Sequence, residues 1–340
     1  LRDAEIQPVV GCLAPPGPLS VELDDAGIET FACDASGPRD VECLVRLARL
    51  IRRIDPDIIH SALFHANIAT RLVGRLDRPR PLITSTVTIE IERRWHLWIE
   101  ALTGAVSSVH LANSSAVANH VCNDLGFRTS DVVVIPNGVD FDTLDAVAPA
   151  DRGEYGIPVD AKLIVWAGRL DPVKNLDALV GIVGRIREHV PVRVLLLGDG
   201  PERSRLTRRI GRAGLAPFVS LAGWRKDVAS WLKTADVLLF PSLTEGSPNT
   251  VIEAMACGCP VVASDIPACR ELIENGVHGW LCPSADQRAY ADAVRLVFED
   301  RLERERRVSQ ARWRVQKTQN IQDVVAMLTR LYQRVTNTLR

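Results

Sequence analysis

Two glutamates, Glu245 and Glu253, are separated by seven residues in the segment 241–260, which follows an apolar run at 237–240. A strand that leads into a loop and a helix N-terminus forms a site for anions, because free backbone N–H groups and the helix dipole point at the ligand. Two carboxylates around an anion site are useful only if they hold hydroxyl groups. A phosphate together with hydroxyl groups suggests that the ligand is a sugar nucleotide.

Glu253 also has a structural interpretation, because Thr250 and Glu253 match a capping box, in which the glutamate binds a backbone N–H group. Ser247 followed by Pro248 predicts an earlier helix start, with the serine at the N-cap and the proline at the first helical position. Glu253 then lies about a turn and a half into the helix, too far in to cap it, and Gly258 ends the helix. We therefore favour a ligand-binding role for Glu253.

Two cations, Arg169 and Lys174, lie in the loop 168–175, between an apolar run that ends at Ala167 and a helical segment. Arginine can hold a diphosphate through its planar fork, and lysine can hold it as a point charge. Loops at strand ends often carry sites, so we expect a diphosphate here. A solvated loop with two surface cations remains the alternative.

Two further loops follow apolar runs. Gly198 and Gly200 begin a dinucleotide fingerprint, but Arg203 replaces its third glycine, so NAD binding is disfavoured and the pair indicates only a tight turn near a ligand. Trp224 and Arg225 stand in the next loop. That loop could line a base pocket through its backbone groups or be a simple turn between a strand and a helix.

Basic and aromatic residues are combined in the segment 93–98, which is predicted to be helical. Such a helix suits a lipid headgroup region or an acceptor sugar, but we favour the alternative that Trp95 and Trp98 lie in the core. His60 and His65 flank a predicted strand end, and a structural role is favoured for each. The acidic pair at 55–57 is predicted to be a turn before a strand, and no essential metal is expected.

Apolar runs alternate with amphipathic helical segments along the whole chain, which predicts parallel, doubly wound sheets. The predicted strands are 8–11, 58–60, 81–84, 109–112, 132–135, 163–166, 192–197, 219–221, 237–240 and 260–263. An Asn-Gly turn at 137–138 marks the division. We predict an α/β protein with two tandem Rossmann-like domains, residues 1–140 and 141–318, and an interdomain cleft. An amphipathic helix at 319–340 is expected to cross back to the first domain.

The 340-residue chain is 46% hydrophobic and has a net charge of −1. Its length suffices for two domains, and its charge disfavours a nucleic-acid partner. No apolar run is long enough to span a bilayer, and the segment 1–5 is too polar for a signal peptide. Its eight cysteines are scattered without a CxxC pair, which disfavours a zinc site and indicates a reducing, cytosolic compartment.

Taken together, these segments resemble the retaining glycosyltransferases of family GT4, which have the GT-B fold. The residues that carry the resemblance are 135–140 (IPNGVD), 168–175 (GRLDPVKN), 198–201 (GDGP), 223–225 (GWR) and 241–262, with looser matches at 56–60 (PDIIH) and 112–114 (ANS). The resemblance implies that Arg169 and Lys174 bind the donor diphosphate, that Glu253 binds the ribose hydroxyls, and that Glu245 holds the transferred sugar. Further donor contacts are expected from Gly168, Gly198, Gly200, Trp224, Arg225, Gly246, Ser247, Asn249 and Thr250, and acceptor contacts from His60, His65 and Asn67.

Two departures from the family pattern bear on activity. Family members usually begin with a strand and a glycine-rich loop that approaches the donor. We expect the first domain of this chain to lack both, unless another segment fills the place of the strand. Family members also often carry a histidine after the strand equivalent to 81–86, where this chain has 86–88 (TVT). Donor binding is expected despite both departures, whereas full catalytic competence is open.

The expected reaction is transfer of a hexosyl unit from a UDP-sugar or GDP-sugar to a glycan or lipid-linked acceptor, with retention of anomeric configuration and without a cofactor or metal. A cytoplasmic location is expected, with peripheral contact to the inner face of the membrane left open. Two alternatives also stay open, a GT-B nucleotide-sugar epimerase and a catalytically impaired donor-binding homologue. An epimerised nucleotide sugar without released nucleotide would indicate the first alternative, and nucleotide binding without transfer or hydrolysis the second.

Overall fold

The computed structural model describes residues 6–37, 40–76, 78–89 and 94–337. The chain divides into two compact units. Unit 1 consists of Leu1–Pro136 together with Asp323–Arg340, and unit 2 consists of Asn137–Gln322. Every strand pairing among the described residues is parallel, and helices separate successive strands in the chain. The predicted α/β class is therefore confirmed.

Unit 1 contains two separate parallel sheets. Its first elements are β1 (Val9–Cys12), α1 (Pro18–Asp25), β2 (Glu29–Ala32), α2 (Val41–Ile54), β3 (Ile59–Ala62), α3 (Phe64–Val73), β4 (Leu82–Thr86), α4 (Arg94–Thr103), β5 (Val109–Ala112), α5 (Ser115–Asn123) and β6 (Val132–Val134). Strands β1 and β2 form one sheet, and β3 to β6 form the other in sequence order. Within the described ranges, β1 pairs only with β2 and β3 only with β4, so one edge of each strand is left unpaired.

Unit 2 is built around one six-stranded sheet of order β12-β11-β10-β7-β8-β9. Its elements are α6 (Phe141–Ala146), β7 (Lys162–Ala167), α7 (Leu176–Arg187), β8 (Val192–Leu197), α8 (Arg203–Arg212), β9 (Val219–Gly223), α9 (Val228–Thr234), β10 (Val237–Phe240), α10 (Asn249–Ala256), β11 (Val261–Ser264), α11 (Pro267–Leu272), β12 (Trp280–Cys282), α12 (Gln287–Glu299) and α13 (Arg301–Thr318). All four residues of β10 are buried, because helices cover both faces of the sheet centre.

The last helix, α14 (Ile321–Asn337), packs on unit 1. Its buried residues Leu331 and Val335 join a core with Ile83, Val109 and Leu111 of the four-stranded sheet. The apolar stripe of this helix is therefore covered by the sheet of unit 1, as expected for an amphipathic helix.

Two sequence-based predictions are corrected here. The proposed helix start, with Ser247 at the N-cap and Pro248 at the first position, is wrong, because α10 begins at Asn249 and Pro248 occupies the N-cap with ψ at 90°. The core location of Trp95 and Trp98 is also wrong, because both side chains of α4 are exposed. In addition, the strands β2 and β12 are not predicted by the sequence, because neither forms a sustained apolar run.

Candidate functional site

The order of strands in unit 2 reverses beside its central strand. From β7 the chain adds β8 and β9 on one side and then returns to place β10 on the other side of β7. The loops that leave the carboxyl ends of β7 and β10 therefore diverge, and crevices of this kind bind ligands in doubly wound sheets. These two loops are the ones that carry Lys174 and Glu245.

Lys174 and Glu245 form an ion pair at this crevice. The Lys174 Nζ atom lies 2.6 Å from Glu245 Oε1, and both side chains are mostly buried. The Lys174 ammonium also lies 5.8 Å from the ring centroid of Phe240, the last residue of β10. A backbone hydrogen bond of 2.8 Å, from Leu243 N–H to Val173 O, ties the two loops together. The structure thus brings two of the predicted site residues into direct contact.

Arg169 lies in the same loop as Lys174 but is exposed. Its Nε atom is 3.7 Å from Asp171 Oδ2, too far for a hydrogen bond. The guanidinium is therefore held only loosely, and its donors are accessible for an anion that binds above the loop.

Helix α10 is fixed to the crevice by its first turn. The Thr250 hydroxyl donates to the backbone oxygen of Ala167, the last residue of β7, at 3.1 Å. That contact excludes the capping-box interpretation, because Thr250 lies inside the helix and its hydroxyl is already used. Glu253 is the fifth residue of the helix, beyond the positions where a side chain can cap.

Glu253 is a half-buried carboxylate on α10. It forms no ion pair or hydrogen bond with any residue in the described ranges, and burial raises its pKa. Its neighbours Ile252 and Ala254 are buried in the core, so the apolar face of α10 is covered while Glu253 keeps access to solvent. An unpaired, half-buried carboxylate is suited to accept hydrogen bonds from ligand hydroxyl groups.

The loops after β7 and β8 interlock through glycines. A Cβ atom on Gly198 would lie 1.8 Å from the backbone oxygen of Gly168, and one on Gly200 would lie 2.4 Å from the oxygen of Leu170. The N–H group of Leu170 donates to Asp199 O at 2.9 Å. Glycine is required at 198 and 200 because the two loops pack backbone against backbone, which also sets the position of Arg169.

The loop after β9 contacts the loop after β8 through its backbone, and its side chains Trp224 and Arg225 have different surroundings. Gly198 N–H donates to Gly223 O at 2.7 Å, and the next side chain, Trp224, is exposed. Arg225 is held by two carboxylates, Asp227 at 2.6 Å and Glu154 at 2.5 Å, and these hydrogen bonds raise its pKa. The structure thus gives Arg225 partners in its own unit, apart from the Lys174–Glu245 pair.

A contact that the sequence did not predict connects the Asn-Gly turn with α10. The Asn137 Nδ2 group donates to Asn249 Oδ1 at 2.5 Å, across 112 residues of sequence. Asn249 is the first residue of α10, so Asn137 holds the start of the helix. No local pattern could indicate this pairing, since it depends on where two distant segments meet in the fold.

The three residues expected on the acceptor side lie in unit 1 and have different surroundings. His60 is hydrogen bonded at 2.6 Å to both Tyr332 Oη and Ser85 Oγ, and loss of hydration lowers its pKa to about 4. Asn67 is buried, donates to Ser85 O and accepts from a serine hydroxyl, so its amide is used within the core. His65 is exposed beside Phe64. His60 and Asn67 thus meet at Ser85, whereas His65 points to solvent.

Comparisons with known proteins place these features in a family. Residues 161–300 match the family model of glycosyl transferases group 1, and residues 1–143 match that of Glycosyltransferase Family 4. The chain belongs to glycosyltransferase family 4. Together the two matches include both loops of the crevice and most of unit 1.

Among relatives of this family 4 chain, a D-inositol 3-phosphate glycosyltransferase of Xylanimonas cellulosilytica is 31% identical over 61% of this chain and 52% of the relative. The UDP-Gal:alpha-D-GlcNAc-diphosphoundecaprenol alpha-1,3-galactosyltransferase of Escherichia coli is 27% identical over 84% of this chain and 79% of the relative. A phosphatidyl-myo-inositol mannosyltransferase of Mycobacterium leprae is 32% identical over 67% of this chain and 57% of the relative. The chain thus spans about half the length of two of these three proteins.

Solved structures establish the GT-B fold of this family 4 chain. HepE of Anabaena, in complex with UDP and glucose, superposes with a TM-score of 0.86 at 22% identity, covering 96% of this chain and 91% of HepE. Sucrose-phosphate synthase of Thermosynechococcus elongatus superposes with a TM-score of 0.81 at 18% identity, covering 98% of this chain and all of that protein. Among the residues that the structure describes, no helix is long and apolar enough to span a bilayer.

Proposed function

We propose that this chain transfers a hexosyl unit from a nucleoside diphosphate sugar to a glycan or lipid-linked acceptor, with retention of anomeric configuration. The observation that carries the proposal is the Lys174–Glu245 ion pair at the reversal of the sheet. On the adjoining helix lies the carboxylate of Glu253, which has no partner in the described part of the chain. Both features belong to a family 4 chain. UDP is the nucleotide we favour, because HepE is named as a complex with UDP.

Donor binding would change the environment of the ion pair. Lys174 would exchange part of its contact with Glu245 for the diphosphate, which carries more negative charge. Glu245 Oε1 would then be able to accept a hydrogen bond from a hydroxyl of the transferred sugar. Glu253 would accept hydrogen bonds from the ribose, and the N-terminus of α10 would face the phosphates.

The same groups would act during bond cleavage. As the glycosidic bond of the donor breaks, positive charge develops on the sugar ring and negative charge on the leaving diphosphate. Lys174, Arg169 and the amide groups at the start of α10 would stabilise the leaving group, and we propose that they do so without a metal ion. Glu245 would lie near the developing positive charge.

The acceptor class follows from the relatives rather than from the site. The Escherichia coli relative is named for a diphosphoundecaprenol-linked acceptor, and the Mycobacterium leprae relative for phosphatidyl-myo-inositol. We therefore propose a lipid-linked acceptor. The chain itself favours neither alternative: no observation on it points to an epimerase or to an impaired homologue.

Isothermal titration of the purified chain with UDP, GDP and ADP tests the donor site. We expect UDP to bind most tightly, and Lys174→Ala and Glu253→Ala to weaken its binding. Lys162→Ala is the matched control, because Lys162 forms a similar ion pair at the other end of β7, with Asp236 at 3.3 Å. Equal UDP affinity in the parent and all three variants would refute the site. NMR of the anomeric proton in the product tests retention.

A further inference from the structure

Helix α4 of unit 1 buries two polar side chains and exposes three large apolar ones. His96 and Glu100 point inward and are buried, whereas Trp95, Trp98 and Leu102 are exposed by 56%, 67% and 68% of their surfaces. Ala101 is exposed as well. A helix on the surface of a globular protein normally turns its apolar stripe to the core and its charged residues to water. We define the exposed set Trp95, Trp98, Ala101 and Leu102 as the α4 face.

The inward side of α4 is anchored by a buried polar network, so its orientation is specified. Glu100 forms an ion pair with Arg71 of α3, and both side chains are almost fully buried. The same guanidinium donates to Thr103 Oγ1 at 3.1 Å, Thr84 Oγ1 at 3.1 Å and Ser107 Oγ at 3.0 Å. Rotating the helix to bury its tryptophans would leave the Arg71 charge buried without its partner, which is strongly unfavourable.

The α4 face carries no charge. Between Trp95 and Thr103 the ionisable residues are His96 and Glu100, and both are buried on the inward side of the helix. Trp95 also contacts the ring of Phe64 edge-on, with centroids 5.6 Å apart, so its indole is held in place while remaining exposed. Two arginines, Arg93 and Arg94, precede the face in the sequence. An aromatic, uncharged helix face preceded by basic residues is the composition that favours the boundary between lipid headgroups and acyl chains.

A lipid surface fits this face better than a second protein does. A stable interface between proteins needs roughly 20–30 residues from each partner. The α4 face offers four side chains on a ten-residue helix, and two of the four are tryptophans. Tryptophan prefers the interfacial layer of a bilayer because its ring is apolar while its N–H group can still reach a polar partner.

We propose that the α4 face docks on the headgroup–acyl boundary of a lipid bilayer. Trp95, Trp98 and Leu102 would enter the boundary, and Arg71 with Glu100 would hold the helix in the orientation that presents them. The inference deepens the proposed function. It rests on that function only to explain why the contact is useful, since a lipid-linked acceptor is confined to the membrane. Binding to vesicles tests it without any glycosyl transfer.

The experiment uses sedimentation with vesicles of phosphatidylcholine, alone and with a minor fraction of phosphatidylglycerol. The test variants are Trp95→Ser/Trp98→Ser and Leu102→Ser. Trp313→Ser is the matched control, because Trp313 is exposed by 58% on α13 in unit 2. We expect the partition coefficient of the double variant to be lower than the parent's by about tenfold or more, and that of Leu102→Ser to be lower severalfold. The control should bind as the parent does.

Two further measurements keep the test decisive. Brominated lipids should quench tryptophan fluorescence in the parent and in Trp313→Ser, and much less in the double variant. UDP affinity and the melting temperature should be unchanged in the double variant, which separates a lost membrane contact from a misfolded chain and from a failure of the donor site. Absence of vesicle binding by the parent, or equal binding by the double variant, would overturn the proposal. A parent dimer that the double variant abolishes would assign the face to a second copy instead.

Discussion

The two ends of the strand pair β7 and β10 each carry a lysine–carboxylate contact, and they differ in what remains available. At the amino ends, Asp236 accepts from Lys162 at 3.3 Å and from Arg152 at 3.0 Å. At the carboxyl ends, Glu245 accepts from Lys174 at 2.6 Å. A lysine and a carboxylate therefore meet at both ends of the same strands.

The amino-end contact is a closed network. Besides its two cations, Asp236 accepts the backbone N–H of Leu163 at 2.8 Å, so both its oxygens are used to hold β7 in place. Among the described residues, no backbone N–H group is found to donate to Glu245 Oε1, and Glu253 on the adjoining helix has no partner. The difference teaches that the presence of a charge pair alone does not indicate a binding site. A charge pair does so when nearby carboxylate oxygens keep hydrogen-bonding capacity that a ligand can use.

Lys174→Ala removes the carboxyl-end contact and should have the largest of the predicted effects. We expect turnover to fall by a factor of about 100 to 1,000, the usual loss when one donor to developing negative charge is removed. Steady-state release of UDP from a UDP-sugar measures it. Lys162→Ala, at the other end, should change turnover by less than about threefold while lowering the melting temperature. Similar turnover in the two variants would mean that the two ends do not differ as described.

Glu253→Gln should weaken nucleotide binding next most strongly. A hydrogen bond to a charged group contributes about 1.5–3 kcal/mol, which corresponds to a loss of UDP affinity of roughly 10- to 100-fold. Titration calorimetry measures the affinity. The isosteric amide keeps the shape of the side chain, so an unchanged dissociation constant would show that this carboxylate does not contact the nucleotide.

Asp236→Asn should destabilise unit 2 without affecting the ligand. The amide cannot neutralise Lys162 and Arg152, and one or more partly buried donors are left poorly paired, at a cost of about 1–3 kcal/mol of unfolding free energy. Urea denaturation measures that loss. UDP affinity of the folded variant should equal that of the parent, and a parallel drop in affinity would contradict a purely structural role for the amino end.

Glu253→Gln should also stabilise the unliganded protein, and this is the smallest of the four predicted effects. Burial raises the pKa of Glu253 above its usual 4.5, so its ionised form is disfavoured in the folded state. The contribution of the Glu253 carboxyl group to the free energy of unfolding is therefore fully present below pH 4.5. It is lost as the pH rises through the raised pKa. We expect the melting temperature of the variant to exceed the parent's near neutral pH. The gain should shrink as the pH approaches 4.5, and a constant gain would point to another cause.

The sequence predicts the strand framework well and the loop details less well. The predicted runs 109–112, 192–197 and 237–240 coincide with β5, β8 and β10, because strands buried on both faces are continuous apolar runs. The crevice residues Lys174 and Glu245 are also predicted, since each follows such a strand. The start of α10 is misplaced because Pro248 fits both the N-cap and the first helical position, and only its ψ angle decides between them.

Other features could not be predicted because they depend on tertiary contacts. The pairing of Asn137 with Asn249 spans 112 residues, and no local pattern connects them. Trp95 and Trp98 point outward because Glu100, on the opposite side of the helix, forms a buried ion pair with Arg71. Hydrophobicity alone predicts the opposite orientation. In both cases a long-range polar contact overrides the local preference.

The strand reversal of unit 2 has a kinetic consequence. Val237 of β10 pairs with Ile164 of β7 only after β8 and β9 have been passed, and the neighbouring contact from Asp236 to Leu163 closes a loop of 73 residues. Non-local closures of this kind slow folding, since chain entropy is lost before contacts are gained. We therefore expect the crevice proposed to bind the nucleotide to assemble late in refolding, so that UDP accelerates neither collapse nor the pairing of β7 with β8.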